Sequence, residues 1–141
     1  MSKLFFLFFL LLVFVPSQAQ PPQVLCSHRY KAEHLTGFAQ YPDGEDAMYK
    51  FIYKNLSWEC GEKSFEGTVY LNFTVDRVGS IWDIEIQQGV APCLDKELVR
   101  VIKLMGAWIP ASINGASVCS QVTLPVRFRL GWEERNQRNI K

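Results

Sequence analysis

The four cysteines, Cys26, Cys60, Cys93 and Cys119, carry the most definite chemistry in this sequence. Thiolates hold soft metals, attack electrophiles or pair as disulfides, and spacing separates these roles. No two of them stand as C-x-x-C, which argues against a redox dithiol or a zinc knuckle. An even count in an exported chain favours two disulfides. His28 and His34 follow Cys26 closely, yet this spacing matches no strong ligand pattern. They read as surface histidines on a lead-in segment, so no metal and no cofactor are expected. Asp83 and Glu85 alternate along a strand and share one face, but on an exposed hairpin they read as solvated rather than as an acid–base pair. There is no nucleophile elbow, no metal-ligand pair on a helix and no phosphate-binding glycine loop. The sequence therefore predicts no enzyme and no small-molecule substrate. Asn55-Leu56-Ser57 and Asn72-Phe73-Thr74 match the glycosylation acceptor pattern, which matters only in a eukaryotic secretory pathway.

The compartment follows from the first residues. Lys3 precedes an unbroken apolar run, Leu4 to Val15, and Ser17-Gln18-Ala19 puts small residues at −3 and −1 of a cut before Gln20. That is the pattern of a secretory signal peptide over residues 1–19. The alternative is a retained inner-membrane anchor facing the periplasm. An apolar helix of that length spans about 18 Å, against the ~30 Å of a bilayer core, so cleavage and a periplasmic location are expected. The formal net charge is +1, and it falls to zero once Lys3 is removed. A neutral chain has no electrostatic footprint for nucleic acid or an anionic membrane.

Residues that could bind a partner lie on the last strand. Val122, Leu124, Val126, Phe128 and Leu130 alternate with polar residues or proline, the period of a strand with one face on a core. The strand is expected over 118–130. Pro125 has no N–H for a ladder, so it belongs on a sheet edge with that position facing outward. Thr123, Arg127 and Arg129 then direct their backbone groups to the same open edge. Such an edge is either protected or used to recruit another strand.

The elements that must position this strand are legible in order. Tyr41-Pro42-Asp43-Gly44 is a turn, with Asp43 as a candidate cap. A helix from about Gly44 to Leu56 follows, with Met48, Phe51, Ile52 and Leu56 on its apolar face. Val69, Leu71, Phe73 and Val75 alternate as a strand. Asp76-Arg77-Val78-Gly79 is a tight turn, and residues 80–87 return as a second strand. The spacing of Ile81, Ile84 and Ile86 suggests an irregularity there, with Trp82 on the outer face. Leu94 to Met105 is a second helix, ended by Gly106, and Asn114-Gly115 is a turn. The expected fold is α+β: a three-stranded antiparallel sheet in the order second–first–last, with two helices packed on one face.

Tyr41-Pro42-Asp43-Gly44-Glu45-Asp46-Ala47, Gly67-Thr68-Val69-Tyr70, Val75-Asp76-Arg77-Val78-Gly79-Ser80-Ile81, Leu94-Asp95-Lys96-Glu97, Trp108-Ile109-Pro110, Asn114-Gly115 and Leu124-Pro125-Val126-Arg127-Phe128 together resemble the C-terminal domain of TonB proteins of the Bacteroidota type. The resemblance runs from about Phe38 to Leu130. It implies a domain over 38–131, with a lead-in at 20–37 and a charged tail at 132–141. It also implies a function: capture of the Ton box, a short peptide of outer-membrane TonB-dependent receptors, as an added strand beside the last strand, in support of nutrient transport. Thr123, Pro125, Arg127 and Arg129 would line that site, and another TonB-like chain is a further implied partner. A force-transmitting TonB has an anchoring helix and a long proline-rich spacer, which are not read here. The alternative expectation is therefore a soluble, disulfide-stapled periplasmic adaptor, competitor or structural protein without energy transduction. The family's domain usually lacks cysteines. From the topology, the end of the first helix and the start of the second share one end of the sheet, and the lead-in and the start of the last strand share the other. This gives Cys60–Cys93 and Cys26–Cys119, one of the three connectivities open to four cysteines.

Overall fold

The computed structural model describes Cys26, residues 28–57 and residues 65–129. Two helices, α1 (Gly44–Asn55) and α2 (Pro92–Lys103), accompany five strands: β1 (Gly67–Val75), β2 (Ile81–Gln88), β3 (Ala111–Ile113), β4 (Ala116–Val118) and β5 (Ser120–Phe128). The main sheet has the order β2–β1–β5 with both pairings antiparallel. That is the expected second–first–last arrangement.

The central strand explains why the sheet has this order. On β1, Val69, Leu71, Phe73 and Val75 are all buried, so its core face is apolar over the whole length. β5 pairs with it without a break, from Gly67 opposite Phe128 to Val75 opposite Ser120. Leu124, Val126 and Phe128 turn to the same core. Met48, Ile52 and Leu56 of the α1 region and Leu94, Leu98, Val101 and Ile102 of α2 complete one apolar cluster with these strands.

β2 carries the irregularity that its isoleucine spacing suggested. Asn72 faces Glu85 while Thr74 faces Trp82, so β2 has one residue more than β1 across this interval. Asp83 absorbs it with φ 57°, the left-handed conformation that short polar side chains tolerate best. The bulge lets Ile81, Ile84 and Ile86 all pack against the core.

The β1–β2 turn is fixed from two sides. The Asp76 carboxylate accepts hydrogen bonds from the Val78 N–H at 2.9 Å and the Ser80 N–H at 2.8 Å. Gly79 has φ 88°, and its carbonyl accepts from the Trp108 N–H at 2.9 Å. A Cβ at Gly79 would lie 2.0 Å from the Trp108 carbonyl oxygen, so only glycine fits. Trp108 packs edge-on against Phe73 and Tyr41, with ring centroids 5.1 and 5.8 Å apart.

Four expectations need correction. Asp43 does not cap α1 with its side chain. It sits at φ 66° inside a turn closed by the Gly44 N–H on the Tyr41 carbonyl, whereas a capping residue needs extended backbone. The second helix starts at Pro92 rather than Leu94 and ends at Lys103 rather than Met105. Proline suits the first helical position because it has no N–H to leave unpaired. Leu104 and Met105 close the end through i−3 hydrogen bonds, before Gly106 is reached. Finally, Val118 is not part of the last strand. It ends a separate β3–β4 ribbon around Asn114-Gly115, whose φ values of 49° and 83° suit a tight hairpin. The last strand restarts at Ser120, and Leu130 lies outside the described residues.

Candidate functional site

β5 lies at the edge of the main sheet, as Pro125 requires. Its even-numbered side chains from Ser120 to Phe128 turn to the core side, while Gln121, Thr123, Pro125 and Arg127 are exposed on the other face. Arg129, just beyond the strand, is also exposed. On that outer face the Thr123 hydroxyl donates to Asn72 Oδ1 at 2.8 Å, across the Asn72–Thr123 pair.

Three backbone carbonyls of odd-numbered residues point away from β1, and each has a partner from this same chain. The Cys119 carbonyl accepts from the Tyr30 N–H at 3.1 Å. The Pro125 carbonyl accepts from the Tyr49 hydroxyl at 2.8 Å, and the Arg127 carbonyl from the Tyr53 hydroxyl at 2.9 Å. Strand geometry then sends the N–H groups of Thr123 and Arg127 and the carbonyl of Thr123 to the same open edge.

The lead-in closes the start of this edge. Tyr30 forms a parallel bridge with Ser120, and a disulfide joins Cys26 to Cys119, with Cα atoms 5.9 Å apart. Arg29 reaches over the outer face, with an ion pair to Asp83 at 2.7 Å, a 3.4 Å hydrogen bond to the Thr74 hydroxyl and its guanidinium 6.0 Å from the Trp82 ring. The lead-in therefore pairs with the edge at its beginning, and farther along no strand lies beside it among the described residues. The tail, the other segment able to fold back, lies outside the described residues. Cys93, in the first turn of α2, is also disulfide-bonded. Its expected partner, Cys60, lies outside the described residues.

Tyr49 and Tyr53 carry no sequence expectation, although their hydroxyls bond two carbonyls of this edge. They stand four apart on α1, beside its apolar stripe, and stack with centroids 6.2 Å apart and planes 19° from parallel. Tyr53 also meets Phe128 edge-on at 6.2 Å. The signal was available: an i, i+4 aromatic pair lies on one helix flank, and its two hydroxyls each need an acceptor. Burial, then the Glu45 carboxylate, pushes the Tyr49 phenol above its ordinary range. Burial, then neighbouring Tyr49, does the same for Tyr53. Both hydroxyls thus remain protonated donors at neutral pH.

His28 and His34 are exposed. Among the described residues, no group of three or more His, Cys, Asp or Glu side chains could hold a metal ion. Asp83 is held by Arg29, and Glu85 lies near Gln87.

A family model described as the Gram-negative bacterial TonB protein C-terminal region matches residues 61–130. Residues 61–130 form a TonB C-terminal domain of that family. No curated protein and no solved structure matches it. The matched residues contain the whole β2–β1–β5 sheet and α2. TonB C-terminal domains are periplasmic protein-interaction domains rather than enzymes. Among the described residues no helix is long and apolar enough to cross a membrane.

Proposed function

We propose that this TonB C-terminal domain captures an extended peptide of the Ton-box type, from outer-membrane TonB-dependent receptors, as a strand added beside β5. It would thereby support outer-membrane nutrient transport. The observation that carries this reading is the edge position of β5, whose outward backbone groups at Thr123 and Arg127 are directed away from β1. In strand addition the main chain supplies affinity and alternate side chains supply selectivity. Thr123, Pro125, Arg127 and Arg129 are the residues we assign to the site. Export with cleavage of residues 1–19 belongs to the same proposal, as do the limits of the domain at 38–131.

A second reading, a soluble periplasmic adaptor, competitor or structural protein on this fold, draws support from the lead-in. Tyr30 occupies the start of the same edge, and the Cys26–Cys119 disulfide holds it there. The two readings part in one experiment. The oxidised chain is titrated with Ton-box peptides while backbone amide resonances are followed. Strand capture moves Thr123, Arg127 and Arg129 most. A broad peptide set that moves none of them favours the adaptor.

A further inference from the structure

An added strand needs acceptors as well as donors from β5. Over Thr123 to Arg127 the outward acceptors are the carbonyls of Thr123, Pro125 and Arg127, and the last two are occupied by Tyr49 and Tyr53. Both tyrosines come from α1, 76 and 74 residues earlier in the chain. They reach the edge because α1 packs on the core side of the sheet, where Met48 and Ile52 are buried in the common cluster. Pro125 has no N–H of its own, so that position offers no donor, and its acceptor is already engaged by the Tyr49 hydroxyl. Two central carbonyls of the edge are therefore capped by this chain's own hydroxyls, although no strand lies beside them among the described residues.

We propose that Tyr49 and Tyr53 are the specificity-determining gate of the β5 edge: an incoming strand must displace their hydroxyls from the Pro125 and Arg127 carbonyls, and then lies against their stacked rings. This rests on strand capture at β5. The exchange is chemically balanced, because a peptide N–H replaces each phenol on its carbonyl and the phenol turns to water. Both tyrosines are partly exposed, so water can reach them. A short or irregular segment that offers only one N–H cannot replace both caps. A regularly extended segment offers N–H groups at every second residue, matching the two-residue spacing of Pro125 and Arg127. The helix-side residues of such a segment meet the Tyr49 and Tyr53 rings, which favours apolar side chains at alternate positions. The partner is thus an extended strand with apolar side chains on one face, and the gate discriminates against anything that cannot deliver two N–H groups in register.

The test uses Tyr49→Phe, Tyr53→Phe and the double Phe variant in the whole oxidised chain. Phenylalanine keeps the ring packing and removes only the donor. In the free chain, the carbonyl carbon resonances of Pro125 and Arg127 should move in the matching variants while that of Thr123 stays. Unmoved carbonyls would overturn the caps. With an extended Ton-box peptide, each hydroxyl removed should tighten binding by about two- to ten-fold, the worth of one displaced hydrogen bond. The Tyr49→Ala/Tyr53→Ala variant, which loses the rings as well, should bind more weakly than the double Phe variant. If the wild type and the double Phe variant bind equally, the gate is overturned and strand capture stands. If no variant binds although the carbonyls move, strand capture at β5 fails and the tyrosines serve edge protection alone, which also overturns the gate.

Discussion

Removing the Cys26–Cys119 disulfide should weaken the domain and loosen the lead-in from the β5 edge together. The two cysteines are 93 residues apart, so the cross-link withdraws a long loop from the unfolded ensemble. The loop-entropy relation gives about 4.6 kcal/mol for a closure of this length at 25 °C. A second disulfide at Cys93 already restricts the unfolded chain, which lowers the expected loss in Cys26→Ser/Cys119→Ser to about 2–4 kcal/mol. For a domain of this size that corresponds to a Tm lower by roughly 10–20 °C. Urea unfolding of the oxidised wild type and the double serine variant measures the loss directly. The denaturant slope should rise, because the unfolded chain exposes more surface once released. Hydrogen exchange on the same samples should show lost protection at Tyr30, whose N–H bonds the Cys119 carbonyl. A stability loss below about 1 kcal/mol would refute the entropic reasoning. Unchanged protection at Tyr30 would show that Arg29 and the Tyr30–Ser120 bridge hold the lead-in without the disulfide.

Other parts of the fold give sharper, more local expectations. Asp76→Ala removes the acceptor of two turn N–H groups and should cost about 2–4 kcal/mol, measured by thermal or urea unfolding, whereas Asp76→Asn keeps one acceptor oxygen and should recover part of it. Gly79→Ala forces a Cβ against the Trp108 carbonyl oxygen at a positive φ, so a loss above about 3 kcal/mol is expected, with near-ultraviolet circular dichroism reporting the displaced Trp108. Glu97 accepts from Arg100 and from the Ser57 N–H, and the Arg100 hydrogen bond is the leading cause that holds its carboxyl below the usual range. Its contribution is present above the unfolded carboxyl's pKa and is lost as pH falls through the lower folded value. The acid limb of stability against pH should therefore be flatter in Glu97→Gln than in the wild type.

The parts of this fold legible in the sequence are those where one residue type faces one environment along a whole element. The alternation of Val69, Leu71, Phe73 and Val75 has a single structural solution, because every member is buried on one face. Pro125 marked an edge before any pairing was known, since proline cannot donate to a ladder. The uneven spacing of Ile81 and Ile84 anticipated the bulge at Asp83, because three isoleucines can reach one core only if the strand gains a residue. Other features depend on groups far apart in the chain. Nothing local to Pro125 announces that its carbonyl will meet a hydroxyl from α1, and nothing local to Tyr30 announces its bridge to Ser120. Ala111 to Val118 is rich in alanine and serine, too weakly patterned to show a strand pair except through Asn114-Gly115. At Pro92 the proline is ambiguous, since it can precede a helix or begin one, and the apolar periodicity alone places the start at Leu94, about half a turn late.

Strand capture at β5 is tested most directly by hydrogen exchange at the Thr123 and Arg127 amides of the oxidised chain, with and without saturating Ton-box peptide. These N–H groups face the open edge, and a strand added there must accept from them. Capture predicts that both exchange more slowly with peptide, while the core amides of β1 stay as they were. Binding of the peptide with no change at either amide would contradict strand addition at β5.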